Sequence, residues 1–507
     1  MTTTRRSLGA LGLSAVDLVV ALLAGAAGVL GSYALSGLTP AFVAGPIAGF
    51  LARTMPGAVV TFAIVVLGDV GEALNLFVAL SLSAAILSGT SLLGVLVGRR
   101  LRAQSVEIVL VVLLGWLAAW AISGALVASV GAGIGAGTVV AIAELARVTP
   151  VLEGFSGERR RLLGGLVGSL AVGAVGAFLQ RGGSAVPDDG PTSSGTGTSS
   201  GTDSTDEVGA LLDEAAEKSL DVAGMEPLVS EEFYNVDINA ADPTLASEEW
   251  SLSITGEVEE EVSLSYADLT SMPTEHRFVT LRCVGENLNG RKMDNALWTG
   301  TPVAALLERA RPASDCECVM LRAADGYFEE FPLAALWRGF LAYGMNGGPL
   351  PRAHGHPVRA LIPGHWGEIN VKWLTEIEFL KREADGYWEK RGWHGTGPVN
   401  TVAKLHAVNR LADGRMQVGG HAYAGLRGVD RVEVSVDGGS TWEEAVLSAP
   451  LPGEDVWRQW THEYRPPARS HEVVVRAVEA DGTVQPSERS EAFPSGPTGW
   501  VSRTVNP

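Results

Sequence analysis

The sequence predicts a multidomain chain: an N-terminal all-α transmembrane bundle, then an α+β domain, then an all-β sandwich. Three observations predict it. From residue 12 to about residue 180 charged residues are sparse, and several windows stay apolar for the ~20 residues that cross a hydrocarbon core. Between residues 250 and 395 short period-two runs are interleaved with helical ones. From about residue 400 the helical signal vanishes, and alternating runs recur between turn signals.

In the first part, windows 15–36, 73–97, 107–128, 129–147 and 162–180 read as membrane-spanning helices. The intervening "LTPAFVAGPIAGFLARTMPGAVVTFAIVVLGDVGE" is broken by Pro and Gly and carries Arg53, which suits a re-entrant or interfacial segment, with a two-helix hairpin as the alternative. Arg5 and Arg6 precede the first span, Arg99, Arg100 and Arg102 follow the second, and Arg159, Arg160 and Arg161 precede the last. With a re-entrant segment these basic clusters share one face, which the positive-inside rule makes cytoplasmic. Everything after Arg181 then lies outside the cell. Arg159 to Arg161 before a short apolar helix also has the form of a twin-arginine export signal, and the positive-inside anchor is the equal alternative.

All nine histidines, from His276 onward, lie outside the membrane region, which excludes a bis-histidine haem between these helices. Asp69, Glu72, Glu107 and Glu144 lie in or near the spans. They mark either a proton or quinone path or, as the plainer reading, helix ends at the interface.

Residues 182–206, "GGSAVPDDGPTSSGTGTSSGTDSTD", read as a polar flexible linker between the anchor (1–181) and the rest. The net charge is −19, and lysine occurs only at Lys218, Lys292, Lys372, Lys381, Lys390 and Lys404. Such a surface suits high salt and points to a haloarchaeal source. It also argues against nucleic acid as a partner, because phosphate repels it.

An amphipathic helix is expected at about 207–220. "WSLSITGEV" alternates as a strand, "SYADLTSM" reads as a short helix behind a serine cap, and "TPVAALLERA" is helical. Farther on, "RVEVSVDGGSTWEEAVL", "WRQWTHEYRP" and "SHEVVVRAVEADGTVQP" alternate as sandwich strands, with a hairpin turn at "DGGS". No phosphate-loop or dinucleotide-binding glycine motif occurs in the required context.

Cys283 ends the apolar run "FVTLRC" just before a Gly/Asn-rich loop. A lone cysteine there is ordinarily a small buried hydrophobe. Its neighbours change the reading. "LRCVGEN", then "NALWTGTPVAALLERA", "LRAADGYFEEFPL", "LAYGMNGGPLPRAHGHPVRALIPGHWGEINVKWLTEIEF" and "GYWEKRGWHGTGP", resembles the molybdopterin-dependent sulfite oxidase family in content and order. "GVDRVEVSVDGGSTWEEAVL" resembles that family's immunoglobulin-like dimerisation domain. The resemblance runs from about residue 230 to the C-terminus and implies a molybdopterin-binding oxidoreductase domain at 207–398, an immunoglobulin-like domain at 399–507, and a possible homodimer.

The implied cofactor is Mo-molybdopterin, with Cys283 as the protein's ligand to a metal already held by the two dithiolene sulfurs of the pterin. By the family pattern Tyr234, Asn235, Asp325, His354, Arg359, Asn370, Val371 and Lys372 hold the pterin, and His394 is a candidate acid or base beside the metal. Two anion-binding arginines of the family have no counterpart, the regions reading "FYNVD" and Leu288, and Trp393 and His394 stand where a tyrosine is expected. Without those cations a dianion binds poorly, so the expected substrate is a small molecule other than sulfite. Cys316 and Cys318 in "DCECV" form only a weak metal signal and read as surface thiols. No haem-attachment or iron–sulfur cysteine set is present, so electrons pass to a separate carrier or a quinone. The alternatives are a non-catalytic membrane-anchored binding ectodomain and, less favoured, a transporter with a regulatory outer domain.

Overall fold

The computed structural model describes residues 14–67, 69–101, 104–148, 156–183, 201–239, 241–312 and 317–507. Arg5, Arg6, Arg102, Cys316 and most of the expected linker lie outside them. The chain divides into two compact units, one of residues 1–55, 67–189 and 238–244, the other of residues 56–66, 190–237 and 245–507.

Five helices of the first unit are long and apolar enough to cross a membrane: Ala15–Ser36, Ala73–Arg100, Ser105–Ser123, Leu126–Arg147 and Gly157–Phe178. The third ends at Ser123, short of the expected 128, because Gly124 takes φ +66 and closes the helix with its N–H on the Trp120 carbonyl. Glycines set how closely these helices approach. A Cβ at Gly31 would lie 2.1 Å from the Gly131 carbonyl oxygen, and one at Gly131 would lie 2.2 Å from the Gly31 oxygen. Ser14 and Asp17 cap the first helix reciprocally. The Asp17 carboxylate also accepts from Arg99 at 2.6 Å and pairs with the buried Arg161, whose Nε lies 2.5 Å from Glu144. Glu144 therefore serves as a structural counter-ion. The stretch at 45–67 forms two short helices, Gly45–Thr54 and Gly57–Phe62, broken at Met55–Pro56, and a π-helical turn Ala63–Leu67.

In the second unit a helix covers Gly201–Lys218, beginning earlier than the expected 207. The α+β part holds two five-stranded sheets. One runs in the order Val262–Ser265, Ser251–Gly256, Leu374–Leu380, Cys318–Ala323, Phe328–Pro332, with Ser251–Gly256 and Leu374–Leu380 parallel. The other runs Glu275–Arg282, Met293–Pro302, Phe340–Met345, Gly348–Pro349, with Arg359–Leu361 also on Phe340–Met345. Between them sits an apolar core that includes Leu252, Ile254, Leu306, Leu321, Phe331, Ile377 and Phe379. Ser265 and Asp268 form a capping box on the short helix Tyr266–Thr270, as its sequence predicts.

From residue 402 the chain is all-β, in a five-stranded and a four-stranded sheet. Val432, Val434, Val473, Val475 and Val501 from one sheet, and Val418, Ala422 and Trp460 from the other, share one apolar cluster. Asp437 holds the "DGGS" turn by accepting from the Ser440 and Thr441 backbone and from Thr441 Oγ1 at 2.7 Å.

Candidate active site

Cys283 follows the last residue of Glu275–Arg282, which pairs antiparallel with Met293–Pro302 so that Arg282 faces Met293. The Cys283 N–H donates to the Lys292 carbonyl at 2.9 Å, closing the loop that connects the two strands. The loop is held by a buried ion network. Glu286 accepts from Arg282 Nε at 2.8 Å, from Lys404 Nζ at 2.7 Å and from the Lys292 N–H at 3.0 Å. Lys404 reaches the Gly290 carbonyl at 2.9 Å, and Arg282 donates to the Asn400 carbonyl and lies over the Trp366 ring. Cys283 itself is free and partly buried. Removal from water pushes its thiol up to about 11, an effect that a hydrogen bond from the Gly285 N–H partly offsets. A soft metal ion that displaces the proton supplies the compensation the buried thiolate lacks.

Beside this loop the structure gathers most of the residues singled out from the sequence. Tyr234 donates its backbone N–H to Asp294 at 2.8 Å, and its hydroxyl lies 2.8 Å from where a Cβ on Gly367 would stand. Burial first, then the nearby Cys283, holds the Tyr234 phenol protonated. His354 packs edge-on to Phe233 and is pushed down to about 3 by burial and by Arg359 and Lys372, so it acts as a neutral hydrogen-bonding group. Arg359 is buried, donates to the His354 carbonyl at 3.1 Å and the Asn370 carbonyl at 3.0 Å, and keeps Nε without a partner. Asn370 is internal bracing, since its amide bridges the Ile362 N–H and the Trp366 carbonyl. Val371 lies in the apolar core. Lys372 reaches Asn235 Oδ1 at 2.6 Å and Asp237 at 2.9 Å. Gly355, at φ +109, leaves the gap between Lys372 and Arg359 that a Cβ would fill at 3.0 Å from Lys372 Cα. Asp325 caps its own hairpin through the Tyr327 N–H, and that hairpin joins Trp373 by the Ala324 N–H.

These features fit a molybdopterin. The set offers one available thiol for the metal, a buried guanidinium with an unused donor and a neutral imidazole, the donor types that a phosphate and heterocycle edges require. His394 is differently placed. Its side chain is exposed while its backbone N–H bonds the Pro494 carbonyl, and the neighbouring Trp393 is the residue turned inward towards the Cys283 loop. Sequence reasoning also missed Glu286, Lys404 and Glu368. The one available signal was a lysine inside the apolar run "TVAKLHAV" of a lysine-poor chain.

The Glu368 carboxylate is buried close to Glu389 and beside the Gly395 backbone N–H, with no side-chain donor on either oxygen. Burial and then Glu389 push its carboxyl up to about 8. The folded unit thus keeps a proton that the unfolded chain has released above a usual glutamate value of 4.5, so stability falls as pH rises from about 4.5 to about 8. Glu368→Gln is expected to be more stable than wild type at pH 8, by a few kcal/mol at most, with a higher unfolding midpoint there, and to match wild type near pH 4. Melting curves across that range check it, and parallel curves for the two proteins refute it.

Residues 239–388 match the oxidoreductase molybdopterin binding domain, and residues 398–493 match the Mo-co oxidoreductase dimerisation domain. The chain is 31% identical over 281 residues to the mitochondrial sulfite oxidase of Mus musculus, covering 44% of this chain and 51% of that protein. It is 31% identical over 150 residues to YuiH, an uncharacterized oxidoreductase of Bacillus subtilis, covering 29% of this chain and 74% of that one. The chain spans about half the length of the mitochondrial sulfite oxidases of Mus musculus and Rattus norvegicus. Among solved structures, the sulfane dehydrogenase SoxCD of Paracoccus pantotrophus is similar with a TM-score of 0.47 and 17% identity, over 63% of this chain and 92% of that one. The chain belongs to the sulfite oxidase family of molybdopterin-dependent oxidoreductases, whose cofactor is Mo-molybdopterin.

Proposed function

We propose that the chain is a membrane-anchored molybdopterin-dependent oxidoreductase that transfers an oxygen atom and two electrons to or from a small substrate other than sulfite, with residues 182–507 extracytoplasmic. The observation that carries this reading is the site itself: a single available thiol at Cys283 beside Tyr234, His354 and Arg359. When bound, the cofactor supplies a metal that exchanges oxygen and electrons with substrate. Cys283 would ligate it. Arg359 Nε, His354 and the Lys372–Asn235 pair would hold the pterin and its phosphate, with Asp325, Asn370 and Val371 shaping the wall around them. His394 remains a candidate proton carrier at the rim, where its exposed ring can exchange with water. The net change is X + H2O → XO + 2H+ + 2e−, or its reverse, with a separate electron carrier or quinone taking or giving the electrons.

Five apolar helices support the anchor, and the pairing of Asp17 with Arg99 and Arg161 brings two of the basic clusters to one end of the helical unit. The two C-terminal sheets support an immunoglobulin-like dimerisation module, and the acidic surface supports a halophilic, haloarchaeal source. Leu288 is partly buried on an apolar cluster where the family places an anion-binding arginine. Sulfite is therefore expected to be turned over with a kcat/KM at least ~100-fold below that of the best neutral oxygen-atom donor or acceptor in a substrate screen. Steady-state kinetics of the molybdenum-loaded, full-length enzyme check it, and saturation by sulfite at low concentration refutes it. Protease added to intact cells is expected to digest residues 182–507.

A further inference from the structure

We infer that residues 56–66 form a lipid-contact element of the unit that holds Cys283: a short apolar segment that packs one face beside the Cys283 loop and turns the other to the acyl layer of the membrane. This contact rests on the proposed membrane anchor, and goes beyond it by giving the oxidoreductase unit a lipid surface of its own.

The segment reads "PGAVVTFAIVV", without one charged side chain. It belongs to the compact unit of the Cys283 loop, although residues 55 and 67 on either side belong to the helical unit. Its helix Gly57–Phe62 and the π-helical turn Ala63–Leu67 give it two faces. A Cβ at Gly57 would lie 2.8 Å from the Arg391 carbonyl oxygen, and Ile64 Cγ2 lies 2.8 Å from where a Cβ on Gly285 would stand. Gly57 and Ile64 therefore mark a closely packed inner face, set against the residue two beyond the thiol. At about 100° per residue, Val59, Phe62 and Val66 fall roughly opposite to that face. Val59 is 48% exposed, Phe62 54% and Val66 63%. Among the described residues of the unit, no other stretch this short holds three exposed large apolar side chains, and others such as Val446 and Val484 are scattered.

Such a face is costly in water, at about 25 cal/mol per Å² of apolar surface left exposed. Lipid fits it better than a protein partner for two reasons. The first is the chain itself. Val66 lies three residues before the helix Asp69–Arg100, which continues into the apolar span Ala73–Arg100, so at most about 11 Å of chain separates the patch from that helix. The second is chemistry. A protein interface surrounds its apolar centre with a polar rim and hydrogen bonds, whereas two valines and a phenylalanine offer no side-chain donor or acceptor, and an acyl layer asks for none. An interfacial helix ordinarily keeps a polar face towards water. Here the backbone at Arg391 and Gly285 occupies that side instead.

The test uses the full-length, molybdenum-loaded protein in liposomes that contain a phospholipid with a photoactivatable diazirine near the ester end of one acyl chain. Adducts formed on irradiation are mapped by mass spectrometry. Residues 56–66 are expected to collect roughly tenfold more adduct per residue than the strands around Val446 and Val484, because these carbons reach only what is immersed ~5–10 Å into the headgroup–acyl boundary. The triple variant Val59→Ser/Phe62→Ser/Val66→Ser is expected to bring that yield down to the level of Val446 and Val484, while adducts on the span Ser105–Ser123 hold. Adducts on Ser105–Ser123 with none on wild-type 56–66 overturn the inference and leave the anchor standing. An equal yield on 56–66 in the serine variant overturns it too, since the segment is then carried to lipid by its neighbours alone. Adducts on neither stretch overturn the anchor and the lipid contact together. Molybdenum retention in the same samples reports the Cys283 assignment separately.

Discussion

Cys283→Ser is expected to abolish turnover and molybdenum retention while the fold survives. Serine is nearly isosteric, and the Cys283 loop owes its shape to backbone bonds and to Glu286, Arg282 and Lys404. What serine cannot supply is a soft, anionic sulfur donor, because its alkoxide forms far less readily than a thiolate and is a harder ligand. Metal and pterin analysis of the purified protein, with circular dichroism beside it, reads both halves of the expectation. Wild-type activity or molybdenum content in a folded Cys283→Ser protein would sink the assignment of the ligand.

The second large effect is expected at Lys404. Its ammonium is fully buried, and burial lowers it to about 8 against the opposing pull of Glu286. Lys404→Met keeps the bulk but leaves Glu286 with one cation in place of two, and the Gly290 carbonyl with His406 Nε2 at 3.2 Å in place of the ammonium. Removing one partner of a buried ion pair costs about 3–5 kcal/mol. The double variant Glu286→Gln/Lys404→Met is expected to lose less than the sum of the two single losses, because either single variant already breaks the Lys404–Glu286 pair, while the loss shared with Glu286→Gln is that of the buried Arg282 partner. Denaturant melts of the four proteins in the cycle measure the coupling. Additive losses would mean that the lysine acts through its own packing.

The parts of this molecule that were legible in the sequence are those that short-range pattern controls. Ser265 and Asp268 sit three residues apart and cap a helix, "DGGS" makes its turn, and Cys283 ends an alternating run in a recognisable motif. The Lys404–Glu286 pair was not legible, because it joins positions 118 residues apart and each residue alone reads as a surface charge. Between Trp393 and His394 the sequence offered two side chains for one position, and the backbone bond from His394 to Pro494 turns the indole inward.

The ion cluster around Asp17 sets a timetable for biosynthesis. The first helix carries a carboxylate that is almost wholly enclosed, and its partners Arg99 and Arg161 sit on later helices, the second of them on the last span. During synthesis Asp17 therefore exists well before Arg161, and a carboxylate enclosed among apolar helices with only part of its cation set is costly. The helical unit can close only when its final span has been made. A nascent chain interrupted before Gly157 would hold Asp17 with Arg99 alone, Glu144 without its Arg161 partner, and an open groove, the marks by which quality control recognises an unfinished protein.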